Sequence, residues 1–212
     1  MRPRDPALAA ISSRTLAHYE QSAEAFRIGT ADHDVSQNRD ALLAAIEAAP
    51  PLRLLDLGCG PGRDLAAFRA LGHEAVGLEG CARFVEMARS ATGCEVLHQD
   101  FLALDLASAR FHGVFANASL FHVPRRELPR VLGELRIALA PRGVLFASNP
   151  RGRDEEGWHG DRYGAYYTLE TWRALVTAAG FEELSHYYRP PGRPLGEQPW
   201  LATVWRRTDT HI

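Results

Sequence analysis

From Leu52 to Asn149 the chain alternates between two hydrophobic patterns. Short apolar runs, LRLLDL, EAVGLE, EVLHQD, GVFANAS and GVLFASN, read as strands of a buried parallel sheet. Between them lie stretches with helical spacing: Arg63 to Ala70, CARFVEMARS, and PRRELPRVLGELRIAL, the last opened by Pro124. Strands alternating with helices predict βαβ units, right-handed crossovers and a doubly wound sheet. Ahead of this region, Leu8 to Phe26 and Ser36 to Ala49 read as two helices. The polar IGTADHDVSQN joins them, with Ser36 or Asp34 placed to cap the second. After Asn149 the pattern breaks. Residues 150–167, PRGRDEEGWHGDRYGAYY, read as a long connection without regular structure, and such a connection is usually functional or mobile. TLETWRALVTAAGF then reads as a helix capped by Thr168 and stopped by Gly180. EELSHYY and WLATVWRR read as two closing strands, joined by the Pro-rich RPPGRPLGEQP. The expectation is one α/β domain over residues 1–212, doubly wound on a mostly parallel seven-stranded sheet. A helical cap fills 1–50, a ligand-binding half 51–149, and a substrate-facing part 150–212.

Composition narrows the partners. At 212 residues and 46% hydrophobic content, the chain has material for a substantial core. The net charge is -2, and Arg125-Arg126 and Arg206-Arg207 are isolated pairs, so nucleic acid is not the expected partner. No run of 18 apolar residues predicts a membrane span, and the apolar stretch at the N-terminus is too short for a secretory signal. Three cysteines, Cys59, Cys81 and Cys94, fit no zinc spacing. They are expected as thiols in a cytoplasmic protein, with no metal.

The candidate chemistry starts in LDLGCGPGRD, residues 55–64, where glycines follow a strand and open a helix. Glycine lets backbone approach a ligand, and a helix N-terminus favours negative charge. A dinucleotide loop needs G-x-G-x-x-G; here Gly58 and Gly60 fit, but Arg63 stands at the third position and Gly62 comes one residue early. Asp56 at the strand end would repel a pyrophosphate and attract an ammonium group. Glu79 closes the second strand 21 residues after Gly58, the spacing of an acid that accepts ribose hydroxyls. Asp100-Phe101 after the third strand suits an exocyclic amine and a base face. A nucleoside with a cationic amino-acid tail fits these acids better than a phosphate-bearing cofactor.

DLGCGPG, LEG and QDF in this order resemble the class I S-adenosylmethionine-dependent methyltransferases, over residues 52–149. The resemblance implies a Rossmann-like fold and S-adenosylmethionine as cofactor. It places Gly58, Cys59, Gly60 and Gly62 at the methionine part, Asp56 at its amino group, and Glu79 at the ribose. Asp100 and Phe101 fall at the adenine, with Asp64, Gly80 and Asn117 beside them. Tyr19 and Gln37 are expected to reach the same ligand from the N-terminal cap. HDVSQN, GCGPGRDL, GLEG, FANASLFHVP, ELPRVL, SNPRG, EGW, RYG, YYRP and QPWLA are similar to a narrower group. This group is the methyltransferase domain at the C-terminus of some ovothiol-forming sulfoxide synthases, with its free-standing relatives. That similarity implies methylation of an imidazole nitrogen of 5-mercaptohistidine to give ovothiol A. His112 departs from the pattern, since methyltransferases commonly carry an acid there.

Methyl transfer from a sulfonium is an in-line displacement that needs a nucleophile about 3 Å from the methyl carbon and little water. Ligands of doubly wound sheets sit at the carboxyl ends of the strands. The candidates there are Asn117 and His122 after the fourth strand and Asn149 and Arg151 after the fifth. Trp158, Arg162, Tyr163 and Tyr167 come from residues 150–167, and Tyr187, Tyr188, Arg189 and Trp200 from the closing strands. His122, Asn117 and Tyr163 are the expected catalytic group, with a near-neutral His122 as base or orienter. Asn149, Arg151, Tyr167, Tyr187, Arg189 and Trp200 are the expected substrate contacts, an arginine fork holding a carboxylate. Three other readings stand beside this one. They are another small amino-acid or thiol acceptor, a non-catalytic nucleoside-binding module, and an NAD-linked oxidoreductase, which Asp56 and the missing third glycine disfavour.

Overall fold

The computed structural model describes residues 5–209; positions 1–4 and 210–212 of the expected domain lie outside the described residues. Nine strands form, β1 Arg53–Leu57, β2 Glu74–Glu79, β3 Glu95–His98, β4 Phe111–Asn117, β5 Leu139–Pro150, β6 Glu155–His159, β7 Arg162–Tyr166, β8 Phe181–Arg189 and β9 Trp200–Arg207. The helices are α1 Pro6–Thr30, α2 Ser36–Ala45, α3 Arg63–Ala70, α4 Ala82–Thr92, α5 Leu128–Ala138 and α6 Leu169–Ala178. Seven strands make one sheet in the order β3-β2-β1-β4-β5-β9-β8. β1 to β5 run parallel, and β9 joins β5 antiparallel, with β8 antiparallel beside it. This is the mostly parallel, doubly wound sheet that the alternation predicts.

Period-2 alternation sorts the strand side chains between two layers. Leu55, Leu57, Val114, Ala116, Leu145 and Ala147 pack with Leu132 and Leu135 of α5 and Trp172 and Val176 of α6. Leu54, Phe115, Val144, Phe146 and Val204 pack on the other face with Leu42 of α2, Phe68 of α3 and Val85 of α4. α1 lies apart from both layers. Its Ala23, Tyr19 and Phe26 pack on Cys81 and Phe84, where α4 begins at the carboxyl end of the sheet.

The structure departs from the sequence reading in five places. α1 runs on to Thr30, four residues past Phe26 and into the expected connection. Residues 150–167 are not a bare connection: β6 and β7 pair as an antiparallel hairpin with His159 opposite Arg162. Gly160 at φ 63° supplies the turn between them. α2 stops four residues early, because Ile46 takes an extended conformation and packs inward while Glu47 pairs with Arg142 and Arg206. α5 starts at Leu128, since Pro124 to Glu127 form a separate turn ahead of it. β5 begins at Leu139, four residues before GVLFASN, through pairing of Leu139 with Phe111. Asp34 caps α2 by accepting the Ser36 N–H at 2.9 Å, and Thr168 caps α6 by accepting from Thr171.

Candidate active site

Gly58, Gly60 and Gly62 have φ of 74°, 53° and 94°, so the turn from β1 into α3 rests on three left-handed positions. A Cβ on Gly58 would meet the Ser119 Cβ at 2.7 Å and the Phe101 ring at 3.1 Å. The N–H groups of this loop point inward to the protein. Gly58 and Cys59 donate to the Leu78 carbonyl, Gly60 to Glu79 Oε2 at 2.9 Å, and Gly62 to the Cys59 carbonyl. Anion-binding glycine loops instead turn their N–H groups toward the ligand. The loop therefore offers no phosphate cradle.

Carboxylates surround it. Asp56 is 3% exposed, and its Oδ2 has no hydrogen-bond partner among the described residues. Burial, then the charges of Asp64 and Glu79, push its carboxyl well above the usual aspartate range, against opposing help from Arg63 and Arg39. Asp64 has both oxygens engaged, by Arg39 and by Arg63 at 2.7 Å each, and so fastens α2 to the start of α3. Glu79 accepts the N–H groups of Gly60 and Cys81 at 2.9 Å, and burial raises its carboxyl too. Asp100 accepts from the Ser12 hydroxyl at 2.6 Å and from the Leu102 N–H at 2.8 Å. A cationic group beside Asp56 satisfies its orphaned oxygen and offsets the repulsion among the acids. The residues present fit an amino-acid ammonium.

These groups line one cavity of roughly 630 Å³ at the carboxyl ends of β1, β2 and β4, walled by α1 and reached by the ends of β5, β8 and β9. Asp56, Gly58, Cys59, Gly60, Asp64, Glu79, Gly80, Asp100, Phe101, Asn117, Tyr19, His122, Arg189 and Trp200 all face it, as the sequence reading expects. Burial holds the Cys59 thiol well above its usual range, which marks it as packing rather than a nucleophile. Burial pushes His122 down to about 4, not near neutrality as expected for a base. Its Nε2 lies 2.9 Å from the Tyr19 hydroxyl, and its Nδ1 lies 2.7 Å from the Tyr163 carbonyl.

Seven expected residues do not line the cavity. Gln37 is exposed; its neighbour Asn38, 1% exposed, faces inward and donates to Asn117 Oδ1 at 2.9 Å. Tyr187 donates to Asn38 Oδ1 at 2.9 Å, so it orients that amide from behind. Tyr163 reaches the site only through its carbonyl; its ring lies edge-on to the Trp158 ring, and burial with the nearby Glu156 raises its phenol. Arg151 donates to the carbonyls of Leu195 and Gln198 and lies over the Tyr188 ring, holding down the Pro-rich loop. Asn149 is buried in β5, and Tyr167 is buried against Trp172. Gly62 caps α3, where an added Cβ would come within 3.0 Å of Ala88. Arg162, a candidate from residues 150–167, does line the cavity, whereas Ser12, Asn38, Ser119 and Ser148 are wall residues absent from the expected set. His112 accepts the Arg53 N–H at 2.9 Å, away from the cavity.

Residues 54–143 match the family model described as a methyltransferase domain. This domain belongs to the class I S-adenosylmethionine-dependent methyltransferases. The chain is 33% identical over 140 residues to a malonyl-[acyl-carrier protein] O-methyltransferase of Enterobacter lignolyticus, covering 66% of this chain and 51% of that protein. It is 32% identical over 180 residues to a trans-aconitate 2-methyltransferase of Rhodopseudomonas palustris, covering 80% of this chain and 66% of that protein. The chain thus spans about half to two thirds of these relatives' lengths. Among solved structures it resembles the 1,6-didemethyltoxoflavin-N1-methyltransferase of Burkholderia thailandensis, bound to 1,6-didemethyltoxoflavin and S-adenosylhomocysteine. That likeness has TM-score 0.80 and 22% identity, covers 99% of this chain and 94% of the other, and speaks for the methyltransferase fold. Among the described residues no helix is long and apolar enough to cross a membrane, and no group of three or more His, Cys, Asp or Glu is arranged for a metal.

Proposed function

We propose that the protein transfers a methyl group from S-adenosylmethionine to a small anionic acceptor, with an imidazole nitrogen of 5-mercaptohistidine as the acceptor atom. The observation that carries the methyl-transfer reading is the polarity of this cavity. Acids from the ends of β1, β2 and β3 line it on one side, Arg189 comes from β8 at the opposite edge of the sheet, and Arg162 of β7 also lines it. S-adenosylmethionine, when bound, supplies an electrophilic methyl group on a sulfonium. The acid side suits its cationic amino-acid tail, with Asp56 for the ammonium, Glu79 for the ribose, and Asp100 and Phe101 for the adenine. The arginine side suits the carboxylate of the acceptor. Arg189 is the stronger anchor. It already bonds the Asp34 carbonyl at 2.6 Å, and its Nε is buried without a partner.

The acceptor assignment rests on the ovothiol-type segments. HDVSQN, FANASLFHVP, SNPRG, RYG, YYRP and QPWLA each send at least one residue to this cavity. Sulfur is the softer nucleophile of a mercaptohistidine, so methylation at nitrogen requires that the ring be held with nitrogen forward. Polar contacts from Asn38, Asn117 and Ser148 can do this, because a mispaired buried polar group is costly. Phe26, Phe84, Phe121 and Trp200 keep water from the reacting atoms. A second reading is methylation of a carboxylate; malonyl-[acyl-carrier protein] and trans-aconitate methyltransferases are among the relatives, and none of those compared is named for a thiohistidine. The three free cysteines support a reducing, cytoplasmic setting.

Incubation with S-adenosylmethionine and 5-mercaptohistidine, followed by mass spectrometry and NMR, tests the proposal. The expected product carries one methyl group on a ring nitrogen, with S-adenosylhomocysteine formed in equal amount. S-methylation, or turnover confined to carboxylic acids, would replace the acceptor assignment.

A further inference from the structure

The contacts of His122 fix where its proton sits. A carbonyl oxygen only accepts, so the 2.7 Å contact with Tyr163 requires a proton on Nδ1. In the neutral ring Nε2 then carries a lone pair, and the Tyr19 hydroxyl 2.9 Å away donates to it. With its hydrogen so committed, the Tyr19 oxygen presents only lone pairs to the cavity that both side chains line. Burial raises the Tyr19 hydroxyl, and the Arg162 guanidinium of β7 lowers it. The other charged or titratable groups acting on the pair are His18 of α1, Glu79 of β2 and Tyr166 of β7. Burial first, then Arg162 and His18, disfavour a charge on His122, so it stands neutral with Nε2 unprotonated at physiological pH.

We propose that Tyr19 and His122 form a proton relay in which Tyr19 touches the acceptor and His122 holds the proton behind it. The proposal rests on the methyl-transfer reading above. When a nitrogen of an imidazole-type acceptor takes the methyl, the ring becomes cationic and its remaining N–H becomes acidic. That N–H bond breaks toward the Tyr19 oxygen as the Tyr19 O–H bond breaks toward His122 Nε2. The other proton stays on Nδ1, donated throughout to the Tyr163 carbonyl. The products are a neutral methylated ring and an imidazolium at His122. The proton returns through Tyr19 to water once the product leaves, because burial disfavours that imidazolium. The relay serves an acceptor with a dissociable proton and does nothing for a carboxylate, which has already lost its own. It thus assigns the cavity to N–H acceptors over carboxylic acids.

His122→Gln separates this role from a structural one, because an amide oxygen accepts the Tyr19 hydrogen bond but takes no proton. The variant is expected to bind S-adenosylmethionine as the wild type does. Its kcat for 5-mercaptohistidine falls on the order of a hundredfold, and the acid limb of the kcat profile, placed near 4 by His122, disappears. Tyr19→Phe gives a similar loss, and the double variant loses little more, as expected of groups acting as one unit. Wild-type kcat in His122→Gln overturns the relay. Nitrogen NMR of labelled histidine decides the arrangement without any acceptor. The expected signature at neutral pH is a neutral His122 protonated on Nδ1, and an Nε2-protonated ring or an imidazolium overturns the relay. If the wild type leaves 5-mercaptohistidine unmethylated, the acceptor assignment falls and the NMR result alone decides the relay.

Discussion

Asp56 carries more of the argument than the glycines that follow it. In the folded chain its carboxyl is raised by burial and by Asp64 and Glu79. For an acid raised on folding, the contribution to stability is complete below the ordinary aspartate value and is lost as pH rises through the raised value. Asp56→Asn is therefore expected to melt at a higher temperature than the wild type at neutral pH, with the two converging toward the ordinary aspartate range. Calorimetric melting across a pH series measures this; equal melting temperatures throughout would mean an ordinary carboxylate. At this scale, motif residues on strand ends were legible: Asp56, Glu79 and Asp100 all reach the cavity. Residues whose reach depends on the face of an element were not. Gln37 and Asn38 are adjacent, and only the helix phase turns Asn38 inward. Arg151 and Arg189 are alike in sequence, but the Pro-rich loop takes the guanidinium of one and leaves the other to the cavity.

Among the elements, the five parallel strands and their helices follow from the alternation of apolar runs, because a strand buried on both faces carries an unmistakable continuous pattern. The β6–β7 hairpin was hidden because four of the five β6 residues are exposed, leaving no apolar face to read. Its anchors are polar and distant in sequence. Asp154, at φ 67°, accepts from the Thr168 N–H at 3.0 Å and from the hydroxyls of Thr168 and Thr171 at 3.0 and 2.9 Å. The hairpin in turn meets α1, where Thr15 accepts the Tyr163 N–H at 3.1 Å and Arg14 pairs with Asp161 at 2.8 Å. Asp154→Ala removes three hydrogen bonds and leaves a Cβ residue in a left-handed position. We expect a loss of about 2 kcal/mol in urea unfolding. A loss under about 0.5 kcal/mol would show that the hairpin is held by α1 rather than by α6.

Across the whole molecule, function follows from where the sheet order puts unlike charges. β3, β2 and β1 occupy one side of the sheet and bring acids, while β8 lies at the opposite edge and brings Arg189. α1 closes the gap between the two sides, bonding Asp100 through Ser12 and His122 through Tyr19. The central claim is that the acid side receives a cationic amino-acid tail. Binding of an ammonium group at Asp56 lowers its raised carboxyl, so it must release a proton, and affinity must weaken as pH falls through the raised value. Titration calorimetry with S-adenosylmethionine, repeated across pH in two buffers of different ionisation enthalpy, reads both effects. One-to-one binding with proton release is expected in the wild type, and in Asp56→Asn weaker binding without that release. No binding, or binding that Asp56→Asn leaves unchanged, would contradict it.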